Sequence, residues 1–168
     1  WVVALSGVSW LVFTWLAGWL SDKLGRRTTY IIGWIAQLVG VFLLFFLTNL
    51  GTIGSLAAAL VILTIGLGFT YGPQAALYSE LFPASIRFSG VSISYAIGAI
   101  VGGAFSPLIA QAIFQNTHST TGITWYLAGM TVIGLVATLL LRDRTGIPLG
   151  PENEAEQVKS PIYGMSKA

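Results

Sequence analysis

Few side chains in this sequence could do chemistry, and those few are grouped. Glu80 is the only acid inside a long apolar run. An ionised carboxylate in hydrocarbon is costly, so such a residue is a candidate for function. Counting turns places it near one end of its run, where it could pair with Arg87, Arg26 or Arg27 as a latch that breaks when helix ends part. That nearness to water argues against a proton carrier, and an ordinary interfacial acid is the plainer alternative. Tyr71, Gln74 and Tyr78 fall at i, i+3 and i+7, one face of a helix, beside Gly72-Pro73. Polar groups on one face of an apolar helix need a partner or a wet cavity, which makes these three candidate substrate contacts. Helix–helix hydrogen bonding is the competing use. Ser92 and Tyr95, farther along, are also candidate contacts. His118 has no second His, Cys or nearby acid with which to hold a metal. No nucleophile–base pair, phosphate loop or paired carboxylates occur, so the sequence points to no enzyme and no cofactor.

The elements that carry these residues are set by composition. Hydrophobic residues make up 55% of the 168 and charged residues 8%, against about 25% charged in a soluble domain. The mean hydropathy is +0.80. A bilayer core needs about 20 apolar residues of helix, and five segments supply them: Trp1 to about Leu20, Thr28 to Leu50, Thr52 to Leu81, Phe88 to Gln115, and Ile123 to Leu141. The expected fold is all-α, a polytopic membrane protein with its helical bundle over residues 1–142. Gly72-Pro73 and Pro107 are expected kinks.

The loops suggest an orientation. Lys23, Arg26, Arg27, Arg87, Arg142, Arg144, Lys159 and Lys167 all fall at one end, which the positive-inside rule makes cytoplasmic. These basic residues form no stripe suited to nucleic acid, and the absence of cysteine excludes a disulfide framework. Residues 143–168, with Gly146, Pro148, Gly150, Pro151 and three glutamates, are expected to be a disordered cytoplasmic tail. Five spans and a cytoplasmic C-terminus put Trp1 at the outer face, so further helices are expected upstream. On the fourth span Gly90, Ser94, Gly98, Gly102 and Ser106 recur every four residues, a ridge expected to pack closely against a neighbouring helix. Ser6, Trp10 and Thr14 share a face of the first span, where packing is the simpler reading.

Two strings carry a resemblance. Gly18-Trp19-Leu20-Ser21-Asp22-Lys23-Leu24-Gly25-Arg26-Arg27 reads chemically as a tight turn, with Gly18 permitting close approach, Gly25 the turn, and Asp22 a helix cap. It resembles, at every position, the G-x-L-[AS]-D-[RK]-x-G-R-R loop signature of the major facilitator superfamily. Gly72-Pro73-Gln74-Ala75-Ala76-Leu77-Tyr78-Ser79-Glu80-Leu81-Phe82-Pro83, then Ile86-Arg87-Phe88-Ser89-Gly90, is similar to a segment of the metabolite:proton symporters. That branch includes proline/betaine, α-ketoglutarate, citrate and shikimate permeases. Ser92, Tyr95, Gly102-Gly103, Pro107 and Arg142-Asp143-Arg144-Thr145-Gly146 continue the likeness.

The resemblance implies that the spans are helices eight to twelve of a transporter, with the first helix of the C-terminal bundle and the whole N-terminal half missing. It implies symport of a small polar metabolite, an organic acid or osmolyte, with protons across the plasma (inner) membrane. It places the third span beside the central pocket and the second and fifth spans at the lipid-facing periphery. Gly18, Asp22, Gly25, Arg26, Arg27, Glu80 and Arg87 become cytoplasmic gating residues. A sugar porter or drug exporter of the same fold, or a non-transporting truncated membrane protein, are the alternatives.

Overall fold

The computed structural model describes residues 1–160 and 162. Its long helices are α1 (Val2–Leu24), α2 (Arg26–Thr48), α3 (Ile53–Leu81), α4 (Arg87–Gly98), α5 (Ser106–Thr117) and α6 (Thr121–Leu140). A π-helical turn, Ala99–Ala104, joins α4 to α5, so Arg87–Thr117 forms one span and the described residues include five helices long and apolar enough to cross a membrane. A short helix α7 (Glu154–Lys159) follows a 3-10 turn at Pro151–Asn153.

The joints follow from local chemistry. α1 and α2 meet at Gly25 alone, whose φ of 93° lies in the left-handed region that favours glycine. A Cβ there would also meet the Asp143 carboxylate at 2.6 Å. Thr52 caps α3 by accepting from the Ser55 amide at 3.1 Å. α3 then runs unbroken through Pro73, which is fully buried. Pro107 behaves differently: it sits in the first turn of α5, directly after the π turn. A proline supplies no N–H to the preceding turn, and a π register is one way to absorb that.

α3 lies between α1 and α2, and α6 packs on α2. The close contacts are glycine contacts. A Cβ on Gly66 would lie 2.5 Å from the Gln37 backbone, on Gly33 2.8 Å from Phe69 and Thr70, and on Gly68 2.9 Å from the Phe13 carbonyl carbon. In lipid, where apolar burial drives little, such approach is the main source of helix association. α6 turns Thr124, Thr131 and Thr138 inward, each hydroxyl donating to the carbonyl four residues back at 2.8 to 3.0 Å. Their polarity is thus satisfied without water.

Three expectations need correction. Among the described residues the glycines of the fourth-span ridge meet no neighbouring helix: Gly98, Gly102 and Gly103 have no described atom within 4 Å of a built Cβ. Gly90 meets only Phe82 of its own corner, and Ser106 donates to Gly102 O and lies 3.2 Å from the Tyr126 hydroxyl. The small-residue packing lies on α2 and α3 instead. Second, α2 is not apolar all round: Tyr30, Trp34 and Gln37 line a cavity on one face, while Ile35, Val39 and Phe46 are more than half exposed on the other. Third, residues 143–160, expected to be disordered, fold back under the α3–α4 corner. The reason is polar: Arg144 and Gln157 are 4% and 2% exposed and hydrogen-bond backbone carbonyls of the turn and of α3, where composition shows only an absence of apolar residues. For Pro161 and residues 163–168, that expectation lies outside the described residues.

Candidate functional site

Two groups of side chains stand out, a cavity within the spans and a charged cluster at the basic end. The cavity, about 440 Å³, opens between α2, α3 and the fourth span. From α3 come Tyr71, Gln74 and Tyr78, the predicted face, together with Thr70. From the fourth span comes Tyr95, also predicted. Ser92 does not join them; it lines a separate cleft with Arg87 and Phe88. Ser94, which spacing assigns to the ridge, takes a place in the cavity wall.

The residues missed from the sequence are on α2. Tyr30, Trp34 and Gln37 line the cavity, at i, i+4 and i+7. This is the same helical-face signal that marks Tyr71, Gln74 and Tyr78, and it was legible at 30–37. Their positions are held. Trp34 Nε1 donates to Thr138 Oγ1 at 2.9 Å, Tyr30 meets the Trp34 ring edge-on at 5.7 Å, and Trp10 of α1 meets Tyr71 edge-on at 5.2 Å. Trp10 therefore supports the cavity wall from behind, consistent with packing. Among the described residues no acid or base lines this cavity. Its wall can offer ring faces, hydroxyls and two carboxamides, which suits a small polar solute more than a strong ion.

At the basic end Arg26 is the hub. It pairs with Asp22, donates to Ser21 Oγ at 2.7 Å and reaches Glu80 Oε1 through Nε at 3.3 Å. Of the three arginines predicted as partners for Glu80, the structure selects this one. Glu80 is 6% exposed, and its Oε2 has no partner among the described residues. Arg87 caps the end of α3 instead, donating to Ser79 O at 2.8 Å and Phe82 O at 3.2 Å. Arg27 caps α6, donating to Leu139 O at 2.7 Å. Gly18 lies where α1 crosses α3, opposite Gly72.

The tail completes the cluster. The Arg26 amide donates to Thr145 Oγ1 at 2.9 Å, and the Thr145 amide to Asp143 Oδ1 at 3.0 Å. Arg144 donates to Leu81 O at 3.2 Å and Gln157 O at 2.6 Å. Burial pulls the Arg144 guanidinium below its ordinary pKa, while the nearby Glu80 carboxylate opposes that fall. His118, in the left-handed conformation at the end of α5, stands apart from both groups. Among the described residues no His, Cys, Asp or Glu cluster could hold a metal.

Five apolar spans, with polar side chains turned into an internal cavity and a charged cluster closing one end, define a polytopic α-helical membrane protein with a solute-sized site. The Major Facilitator Superfamily profile matches residues 1–167, and the chain belongs to that family. It is 34% identical over 146 residues to the inner membrane metabolite transport protein YhjE of Escherichia coli K12, covering 85% of this chain and 32% of the relative. It is 33% identical over 132 residues to the ectoine/proline transporter ProP of Corynebacterium glutamicum, covering 79% of this chain and 26% of the relative. To the citrate-proton symporter of Klebsiella pneumoniae it is 28% identical over 149 residues, covering 88% and 33%. These relatives are named as transporters, not enzymes, and the chain spans about a third of their length or less. No solved structure matches the chain.

Proposed function

We propose that the protein carrying this chain is a secondary transporter that moves a small polar metabolite, an organic acid or osmolyte, together with protons by alternating access. The observation that carries the reading is the joining of a solute-sized cavity to a charged lock on one helix. α3 bears Tyr71, Gln74 and Tyr78 in the cavity wall and Glu80, two residues further on, in the Arg26 pair. Movement that opens the basic end must break that pair and shift the wall with it. Proton coupling is taken from the citrate-proton symporter, and osmolytes from the ectoine/proline transporter.

In this reading the spans correspond to helices eight to twelve, the missing half supplies the rest of the site, and the membrane is the inner membrane. The basic end and tail face the cytoplasm. Labelled proline, betaine, citrate, α-ketoglutarate and shikimate, offered to proteoliposomes with and without an inward proton gradient, test it. Gradient-dependent uptake of one of them is expected; uptake of none, or uptake indifferent to collapse of the gradient, refutes it. Glu80→Gln should then lower turnover more than apparent affinity, and unchanged turnover would remove the latch. Orientation is tested separately. The chain has no cysteine, so Thr145→Cys and Ser119→Cys should label from opposite sides.

A further inference from the structure

The tail docks without apolar burial. Val158 is 66% exposed and Leu149 38%, whereas the buried tail residues are Arg144 and Gln157. What holds the segment is one carboxamide. Gln157 Oε1 accepts from the Ala84 amide at 2.9 Å and from Arg87 Nη2 at 3.2 Å. Its Nε2 donates to Pro148 O at 2.7 Å and Gly150 O at 2.9 Å. Glu154 adds a bond from Ser85, and Arg87 donates to Leu149 O. A segment held only by hydrogen bonds at the end of a bundle is drawn from the low-stability part of a fold, because water can replace each bond.

Release of this segment would leave Arg144 changed most. Its Nη2 would lose Gln157 O, and its Nε already has no partner among the described residues. Its Nη1 is bonded to Leu81 O, the residue after Glu80, whose buried Oε2 is likewise unpartnered. A buried guanidinium and a buried carboxylate thus each keep an idle atom at the end of α3, with Arg144 bonded to the residue after Glu80. We infer that residues 148–157 are a reversible strap, fastened by Gln157, that decides whether Arg144 bonds the strap or turns to Glu80. Docked, Glu80 bonds Arg26 while Arg144 lies near it without a bond; released, it can bond both arginines, and the end of α3 is held differently. The inference concerns the chain's own residues and does not depend on what is carried.

The test is hydrogen exchange, read by mass spectrometry on the membrane-embedded protein, over residues 82–87, whose Ala84 amide donates to Gln157. Gln157→Ala should speed exchange there about tenfold, the loss of one to two net hydrogen bonds. Exchange in the middle of α2 should stay as it was. Gln157→Asn, which keeps the carboxamide, should recover part of the protection. Glu80→Gln should then act more strongly in the Gln157→Ala background than in the parent, since only there does Arg144 depend on the carboxylate. That difference should vanish when Arg144→Gln is added. Glu80 and Gln157 share no direct bond, so any coupling between them runs through Arg144, and the Arg144→Gln background isolates it. Unchanged exchange in Gln157→Ala overturns the strap. Equal Glu80→Gln effects in both backgrounds overturn the hand-over to Arg144.

Discussion

Gly72→Ala should destabilise the bundle even though alanine is the better helix former. A Cβ built on Gly72 lies 2.6 Å from Thr14 O, 2.7 Å from Gly18 N and 2.8 Å from Ala17 Cβ. Carbon contacts are comfortable at about 3.5–4.0 Å, so α1 and α3 must separate by on the order of 1 Å at their crossing. Two of the three atoms are backbone and cannot rotate away. Overpacking of this kind costs about 1–3 kcal/mol, and replacing a helical glycine by alanine returns about 0.5–1 kcal/mol. The net expectation is a loss of roughly 0–2.5 kcal/mol, centred near 1 kcal/mol. Gly18→Ala, across the same crossing, is the control, because its Cβ would meet only Gly72 O at 3.8 Å. That variant should gain about 0.5–1 kcal/mol. Denaturant unfolding of the purified protein in micelles, followed by tryptophan fluorescence, measures both. If Gly72→Ala and Gly18→Ala shift stability in the same direction, the crossing is not where the structure puts it.

Other substitutions separate the cavity from its surroundings. Gln74→Ala and Tyr78→Phe should raise the KM of uptake at unchanged membrane abundance, whereas Ser92→Ala, outside the cavity, should leave KM where it was. Trp34→Phe removes the 2.9 Å bond to Thr138 but leaves that hydroxyl its bond to Gly134 O. It should cost about 0.5–1 kcal/mol in the same unfolding assay. Arg27→Ala strips the donor from the last carbonyls of α6, and should cost about 1 kcal/mol with faster exchange confined to residues 139–142.

The spans were legible to within a few residues because hydrocarbon thickness fixes their length and charge marks their ends. Gly25 and Thr52 were readable as a turn and as a span start for the same kind of reason. The Tyr71, Gln74 and Tyr78 face was legible because its polarity interrupts an apolar helix. Tyr30, Trp34 and Gln37 carry the same spacing, but a reading of α2 through its Leu- and Phe-rich far end hides them. The tail was misread for a different reason. Composition registers the apolar residues a segment lacks, whereas Arg144 and Gln157 fold it by satisfying backbone groups at a helix end.

The small residues of the fourth span show why a pattern of glycines does not by itself specify packing. Close approach needs a partner whose backbone faces the stripe. α3 has one on each side, with Gly66 against α2 and Gly68 and Gly72 against α1. The fourth span has the stripe without the facing backbone, no residue buried along its described length, and a π turn at its centre. The cavity therefore has two unlike walls. The wall built by α2 and α3 is closely packed where Gly33 and Gly66 let the two backbones meet. Among the described residues the wall bearing Ser94 and Tyr95 meets its neighbours at the corner by Arg87, at Ser106 beside Tyr126 and where α5 packs on α6. The first wall carries the Arg26–Glu80 pair at its basic end, whereas the second is interrupted by a π turn, so the two sides of one cavity are built by different means.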